Sequence, residues 1–332
     1  MRDEWISFTE LQRMGPELLR ERISEQPGQA ARWVEAAALN GLVNAQIAWG
    51  QMLVDGHGVA RDPQAGLRWF RVAAEAGSAE GINMVGRCHE LGWGVPADPR
   101  AAACYYRQAA EAGHGWAQFN LATLLLHGSG VAPDRREALA WYARAARRGD
   151  ARAKAMSMIG RYLELGWDRA ARPAAALRWY ARGAAGDDYR GLFDHARLTL
   201  ELTGDVGRAR EGFARAIERG VPAFCRHVAE ALRAAPQPEL RRLALHALER
   251  AAETGEPADL RRYAGALAEG LGGTPDPQTA ARLFARAREA EQAGLAVPRE
   301  DLASRPPAGP RTRLAALVRQ MKAALTLRHN PR

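Results

Sequence analysis

The chain has 332 residues, 47% of them hydrophobic and 26% charged, which is ordinary for a folded protein and excludes a disordered or fibrous one. Its formal net charge of +9 hints at a polyanion partner, but residues 311–332 carry six basic residues and no acidic one. The other 310 residues hold 41 basic against 38 acidic, so the body of the protein is not a polyanion-binding surface by charge.

The chain opens Met1-Arg2-Asp3-Glu4-Trp5, with acids early and no apolar run, so no signal peptide is expected. No stretch approaches the roughly 18 uninterrupted apolar residues of a membrane span. Three cysteines (Cys88, Cys104 and Cys225) make no disulfide framework for a chain this long and suit a reducing compartment. A cytoplasmic location is the expectation. Within residues 1–40, Trp33, Ala37 and Ala38, with Gly41, prefigure the pattern that follows 36 residues later. This stretch reads as a degenerate N-terminal capping repeat.

Gly41, Gly77, Gly113 and Gly149 then stand 36 residues apart, and other residues keep the same interval. They include Trp69, Tyr105 and Trp141, each followed by a second aromatic (Phe70, Tyr106, Tyr142), and the loop triplets Gly56-His57-Gly58, Gly92-Trp93-Gly94 and Gly128-Ser129-Gly130. Asp62, Asp98 and Asp134 complete the set. A fixed period in the thirties is the mark of a stacked repeat array. In the third unit Ala117, Leu121, Ala122 and Leu125 recur at helical spacing, which defines a helix A. Gly128 falls where a helix C-terminus wants a left-handed residue. Asp134 falls where helix B wants an N-cap, ahead of Ala138, Trp141, Tyr142 and Ala145. The aromatics are expected to be buried between units.

Unit four (149–186) has a two-residue insertion before Gly160 and Asp168 in place of the second loop glycine. Units five (187–220) and six (221–255) lose the Gly-x-Gly loops, leaving Phe213 and Ala251-Ala252-x-x-Gly255 as landmarks. The pattern returns in unit seven, where Gly270-Leu271-Gly272 and Asp276-Pro277 fall in register with Gly56-His57-Gly58 and Asp62-Pro63. Residues 295–332 contain Pro298, Pro306, Pro307 and Pro310, a linker signal, followed by a basic amphipathic helix carrying Leu314, Leu317, Val318, Met321 and Leu325 on one face. The organisation is therefore a cap (1–40), four clear repeats (41–186), degenerate helical repeats (187–294) and a C-terminal linker and helix (295–332). The fold class is all-α, a solenoid of about seven to eight antiparallel helix pairs.

Residues 41–149 resemble Sel-1-like repeats, relatives of tetratricopeptide repeats, and the unit running from Ala117-Gln118-Phe119-Asn120-Leu121-Ala122 to Gly149 lies near that family's consensus. The resemblance extends strongly over 41–186, weakly over 256–290 and marginally over 5–40 and 187–255. It implies a right-handed superhelix with helix A lining the concave side, and an adaptor or scaffold role without enzymatic activity. Many relatives are secreted or periplasmic, and the absence of a recognisable signal peptide is a departure from them. The resemblance further suggests a partner in an iron-uptake or metal-dependent oxygenase system.

No residue pattern points to catalysis, a cofactor or a metal. The Gly-x-Gly triplets follow helices and lack the Gly-Lys-Ser/Thr ending of a phosphate loop. Cys88-His89 with Cys104 is the one soft-ligand cluster, and it lacks the spacing of a structural zinc site. The groove is more informative. Aligned units place Gln51, Arg87, Thr123 and Arg161 at one position of helix A. Units two and four share Met-x-Gly-Arg-x-x-Glu-Leu-Gly-Trp, which pairs Arg87 with Glu90 and Arg161 with Glu164 at a spacing that makes helix neighbours. Such a pair is either a solvated ion pair of little consequence or a partner contact. Asn83 and Asn120 nearby could grip an extended peptide backbone. The candidate partner-binding residues are thus Gln51, Asn83, Arg87, Glu90, Asn120, Arg161 and Glu164. For the basic C-terminal helix three readings stay open: a cap on the last repeat, a second docking element, or a tether to nucleic acid or acidic membrane.

Overall fold

A computed structural model describes residues 27–292 of the chain, apart from Arg148 and Arg169. The segment before residue 27 and the C-terminal linker and basic helix at 295–332 lie outside the described residues. Among those described there are fifteen helices and no strand, and adjacent helices pair in sequence, as an all-α solenoid requires. They fall into two compact units that divide at Trp141/Tyr142.

The first unit holds α1 (Pro27–Leu39), α2 (Val43–Asp55), α3 (Pro63–Glu75), α4 (Ala79–Leu91), α5 (Pro99–Glu111), α6 (Gly115–His127) and the start of α7 (Arg135–Ala145). Each A helix ends on a left-handed glycine: Gly56, Gly92 and Gly128 at φ 73, 72 and 73°. A left-handed residue turns the chain so that two successive amides meet the same carbonyl, and Gly92 and Trp93 both donate to Cys88 O, Trp93 at 2.9 Å. The loop then closes through the backbone of the aspartate. Asp62, Asp98 and Asp134 donate their amides to Leu53, His89 and Leu125 at 2.8, 2.8 and 2.9 Å. Their carboxylates cap helix B, Asp98 Oδ1 accepting from the amides of Arg100 and Ala101. The proline that follows Asp62 and Asp98 sits where an amide hydrogen would have no partner. The A helices are capped too, by Ser78 and by His114, whose Nδ1 accepts from Ala117 N at 3.2 Å.

The core lies between A and B helices. Trp141 is buried, as the repeat pattern requires, but Trp69 and Tyr105 are only half-buried. The second aromatic of each pair is the one wholly enclosed: Phe70 and Tyr106 are 0% exposed. A glycine on helix A faces each of these rings. A methyl at Gly50 would meet Phe70 at 2.6 Å, and one at Gly86 would meet Tyr106 at 2.9 Å. Glycine in mid-helix costs about 1 kcal/mol relative to alanine, and here it makes room for an aromatic side chain worth more than that when buried.

The second unit continues α7 and adds α8 (Arg152–Leu165), α9 (Pro173–Ala185), α10 (Tyr189–Thr203), α11 (Val206–Arg219), α12 (Pro222–Arg233), α13 (Pro238–Ala252), α14 (Pro257–Ala268) and α15 (Pro277–Gln292). Gly160 faces Tyr180 in the same way, so the fourth repeat keeps the design. Its loop also closes as before, Arg172 N donating to Leu163 O at 2.7 Å, although an arginine stands where the capping aspartate would be. The seventh repeat restores Asp276 as the N-cap of α15 and Gly270 and Gly272 at positive φ.

Between them the stacking changes. Gly220 joins α11 to α12 in an extended conformation (φ −71°, ψ 148°) in place of a left-handed turn. α11 then packs more extensively on α13 than on α12. An aromatic cluster spans the step: Phe193 packs on Phe213 and Phe224 with ring centroids 5.3 and 5.9 Å apart, and Tyr189 packs on Phe224 at 4.6 Å.

Candidate protein-binding surface

The A helices of each unit lie side by side, α2 beside α4 and α4 beside α6 in the first, α8 beside α10 in the second. Their common face carries the residues singled out in the sequence, and the structure divides those residues into two kinds.

Some are already engaged within the repeat. Asn83 on α4 is only 4% exposed, and its Oδ1 accepts from Asn120 Nδ2 on α6 at 3.2 Å. The two asparagines therefore lock neighbouring A helices together, and Asn83 offers a peptide backbone little. Glu90 accepts a hydrogen bond from Tyr106 Oη at 2.5 Å, and Glu164 accepts one from Tyr180 Oη at 2.7 Å. Each glutamate thus reaches the enclosed tyrosine of its own helix B. Burial, reinforced by the carboxylate of Glu90, holds the Tyr106 phenol well above its ordinary pKa, so it remains a donor at any physiological pH. Glu164 also receives Arg197 Nη2 at 2.7 and 2.8 Å on its two oxygens. Arg197 is held by Glu201 at 2.8 Å and lies 3.8 Å from Asp194.

Of the others, Gln51 and Arg87 are half-buried and Arg161, on α8, is exposed. Gln51 donates to Asp55 at 2.8 Å along α2. Arg87 stacks over Trp93 of its own loop, 4.9 Å from the ring centroid. Cys88 is buried, and burial pushes its thiol up to about 12, which leaves it neutral. His89 stacks on Tyr105 at 5.4 Å.

Sequence reasoning missed the feature that surrounds Arg161. A pocket of about 270 Å³ lies against α8, α10 and the start of α12, with Arg161 and Arg190 beside it, Phe193, Phe224 and His227 forming its aromatic wall and Asp194 within it. Burial pushes the Asp194 carboxyl up to about 6, against the opposing pull of Arg161 and Arg197. The signal in the sequence is Phe224-x-x-His227 at helical spacing, in a region where the repeat pattern lapses.

Repeated helix pairs, glycine-closed loops and a shared A-helix face define an α-solenoid of the repeat class. The Sel1 repeat family model matches residues 43–78, 79–114, 117–150, 153–188 and 258–291, together just over half of the chain. The protein belongs to the Sel1 repeat family. Its fold is similar to that of c5321, a protective antigen of uropathogenic Escherichia coli strains with an SLR fold (TM-score 0.53, 20% identity, 97% of this chain and 81% of that one). It is similar as well to a Sel1 repeat protein from Oxalobacter formigenes (TM-score 0.52, 24% identity, 83% of this chain and 100% of that one). At these identities the likeness concerns the fold. No curated protein sequence matches the chain. Sel1 repeats generally mediate protein–protein interaction.

Proposed function

We propose that this protein is a non-enzymatic adaptor or scaffold of the cytoplasm that holds a protein or peptide partner against the face of its A helices. The observation that carries the reading is the exposed guanidinium of Arg161 beside an open aromatic pocket on that face. Repeats that bury their own core between A and B helices leave the A-helix face of each unit for other molecules. A partner from an iron-uptake or metal-dependent oxygenase system is a further proposal, which rests on the family resemblance.

Arg87→Ala combined with Arg161→Ala tests the surface. Arg161 is exposed, and a cation–π contact such as that of the half-buried Arg87 on Trp93 contributes about 1 kcal/mol. The melting temperature should therefore move little. An arginine that anchors a partner can contribute about 2 kcal/mol or more to binding, so affinity capture of the native partner should weaken by at least about tenfold. Mass spectrometry of the captured protein names the partner. Undiminished capture would move the binding site to the B-helix face, the glycine loops or the basic C-terminal segment.

A further inference from the structure

The pocket on the second unit has a definite chemistry, and it arises where the repeat geometry changes. The extended link at Gly220 carries α12 away from α11, and α12 presents Phe224 to Phe193 and Tyr189 of α10. Phe193 and Phe224 are themselves buried, at 6% and 8% exposure, and so form a fixed apolar floor. His227, one turn on, is exposed and packs its ring on Phe193 at 5.4 Å.

The charges around this floor are unbalanced. The neighbouring carboxylates have other engagements: Glu164 and Glu201 bind Arg197 at 2.7 and 2.8 Å, and Asp188 caps α10 through Gly191 N at 3.0 Å. Asp187 pairs with Arg219 at 3.0 Å. Asp194, in the pocket, lies 3.8 Å from Arg197. Arg161 and Arg190 are both exposed; Arg161 acts on the Asp194 carboxyl of the same pocket, and Arg190 lies over the Tyr189 ring at 5.9 Å, so the pocket carries two guanidiniums against one carboxylate. The volume of about 270 Å³ falls just below the roughly 300–1,000 Å³ of small-molecule and cofactor sites, but it accommodates one large side chain.

We infer that this pocket anchors the partner by taking one aromatic side chain from an acidic peptide segment, whose flanking carboxylates meet Arg161 and Arg190. The inference rests on the scaffold reading and gives it a ligand chemistry. An aromatic ring fits the floor because Phe193 and Phe224 can receive it edge-on or offset, the geometries that ring pairs prefer. The two guanidiniums suit carboxylates because each offers a planar fork of donors.

The test is selection of a random nonapeptide display library on the full chain, followed by titration of the enriched peptides. The expected consensus has one Phe, Tyr or Trp flanked by Asp or Glu. Replacing that aromatic by alanine should weaken binding by about tenfold or more. Arg161→Ala with Arg190→Ala should do the same at an unchanged melting temperature, whereas the double lysine variant should retain part of the affinity. Raising the salt concentration should weaken binding through screening of the carboxylate contacts. A basic or purely aliphatic consensus, or no enrichment, would overturn the proposal. An acidic aromatic consensus indifferent to Arg161 and Arg190 would overturn the pocket assignment while leaving the scaffold reading intact. Loss of such a peptide in Arg87→Ala alone would place the site on the first unit.

Discussion

Gly94 and Gly113 both have positive φ, 70° and 88°, yet their surroundings differ completely. A methyl group at Gly113 would meet nothing within 4 Å, whereas one at Gly94 would lie 2.7 Å from Gln64 Cα, in the backbone of the preceding B helix. Gly113→Ala should therefore cost only the left-handed backbone term of about 1 kcal/mol. Gly94→Ala must also push one loop off its neighbour and should cost clearly more, as should Gly130→Ala, whose methyl would come within 2.6 Å of Arg100 N. Chemical denaturation of the three variants checks the order; equal losses would contradict it. Asp194 is a second residue whose setting decides its behaviour. Its folded pKa of about 6 lies above the ordinary 3.8, chiefly through burial, with Glu164 and Asp188 adding to the rise. The folded state therefore holds the proton more tightly, and the stability from this group is complete below pH 3.8 and lost as pH rises through 6. Asp194→Asn, which mimics the protonated form, should melt higher than the wild type at pH 8. The gain should vanish by about pH 4, and a gain independent of pH would refute the assignment.

Pairs of helices explain the glutamates that the sequence presented as surface residues. Glu90 and Tyr106 occupy the positions that Val54 and Phe70 occupy one repeat earlier, and both members of that earlier pair are buried in one apolar cluster. Carboxylate and hydroxyl therefore appear together or not at all in these two repeats, and Glu164 with Tyr180 repeats the polar version. Tyr106→Phe should cost about 1–3 kcal/mol, because it leaves a half-buried carboxylate without its donor. Glu90→Val with Tyr106→Phe installs the apolar solution of the first repeat and should recover part of that loss. Thermal melts of the single and double variants measure the coupling; simple additivity would show that the Tyr106–Glu90 bond has no energetic role. The helix ends, by contrast, were legible directly. Asp62, Asp98, Asp134 and Asp276 cap B helices, and Gly92 and Gly128 end A helices at positive φ, because caps and turns draw on residues only a few positions apart.

At the scale of the molecule, the fifteen helices among the described residues lead us to expect a far-ultraviolet circular dichroism spectrum of helix without substantial strand, and marked strand content would contradict the fold. The 36-residue period by itself determined the helix pairs, the glycine loops and membership of the Sel1 repeat family, since every repeat writes the same local chemistry again. It also marked residues 187–255 as the place where that chemistry lapses. What fills the lapse was decided by tertiary structure alone. Phe193 and Phe224 are 31 positions apart and belong to no shared motif. They meet because the extended link at Gly220 and the packing of α11 on α13 reposition α12. The same long-range packing turned Glu90 and Glu164 toward tyrosines sixteen residues away and left Arg161 facing outward. Local signals repeat along the chain and can be read from it. Which side chains share a pocket depends on how successive repeats step past one another, and that step is set by the fit of buried rings against distant helices.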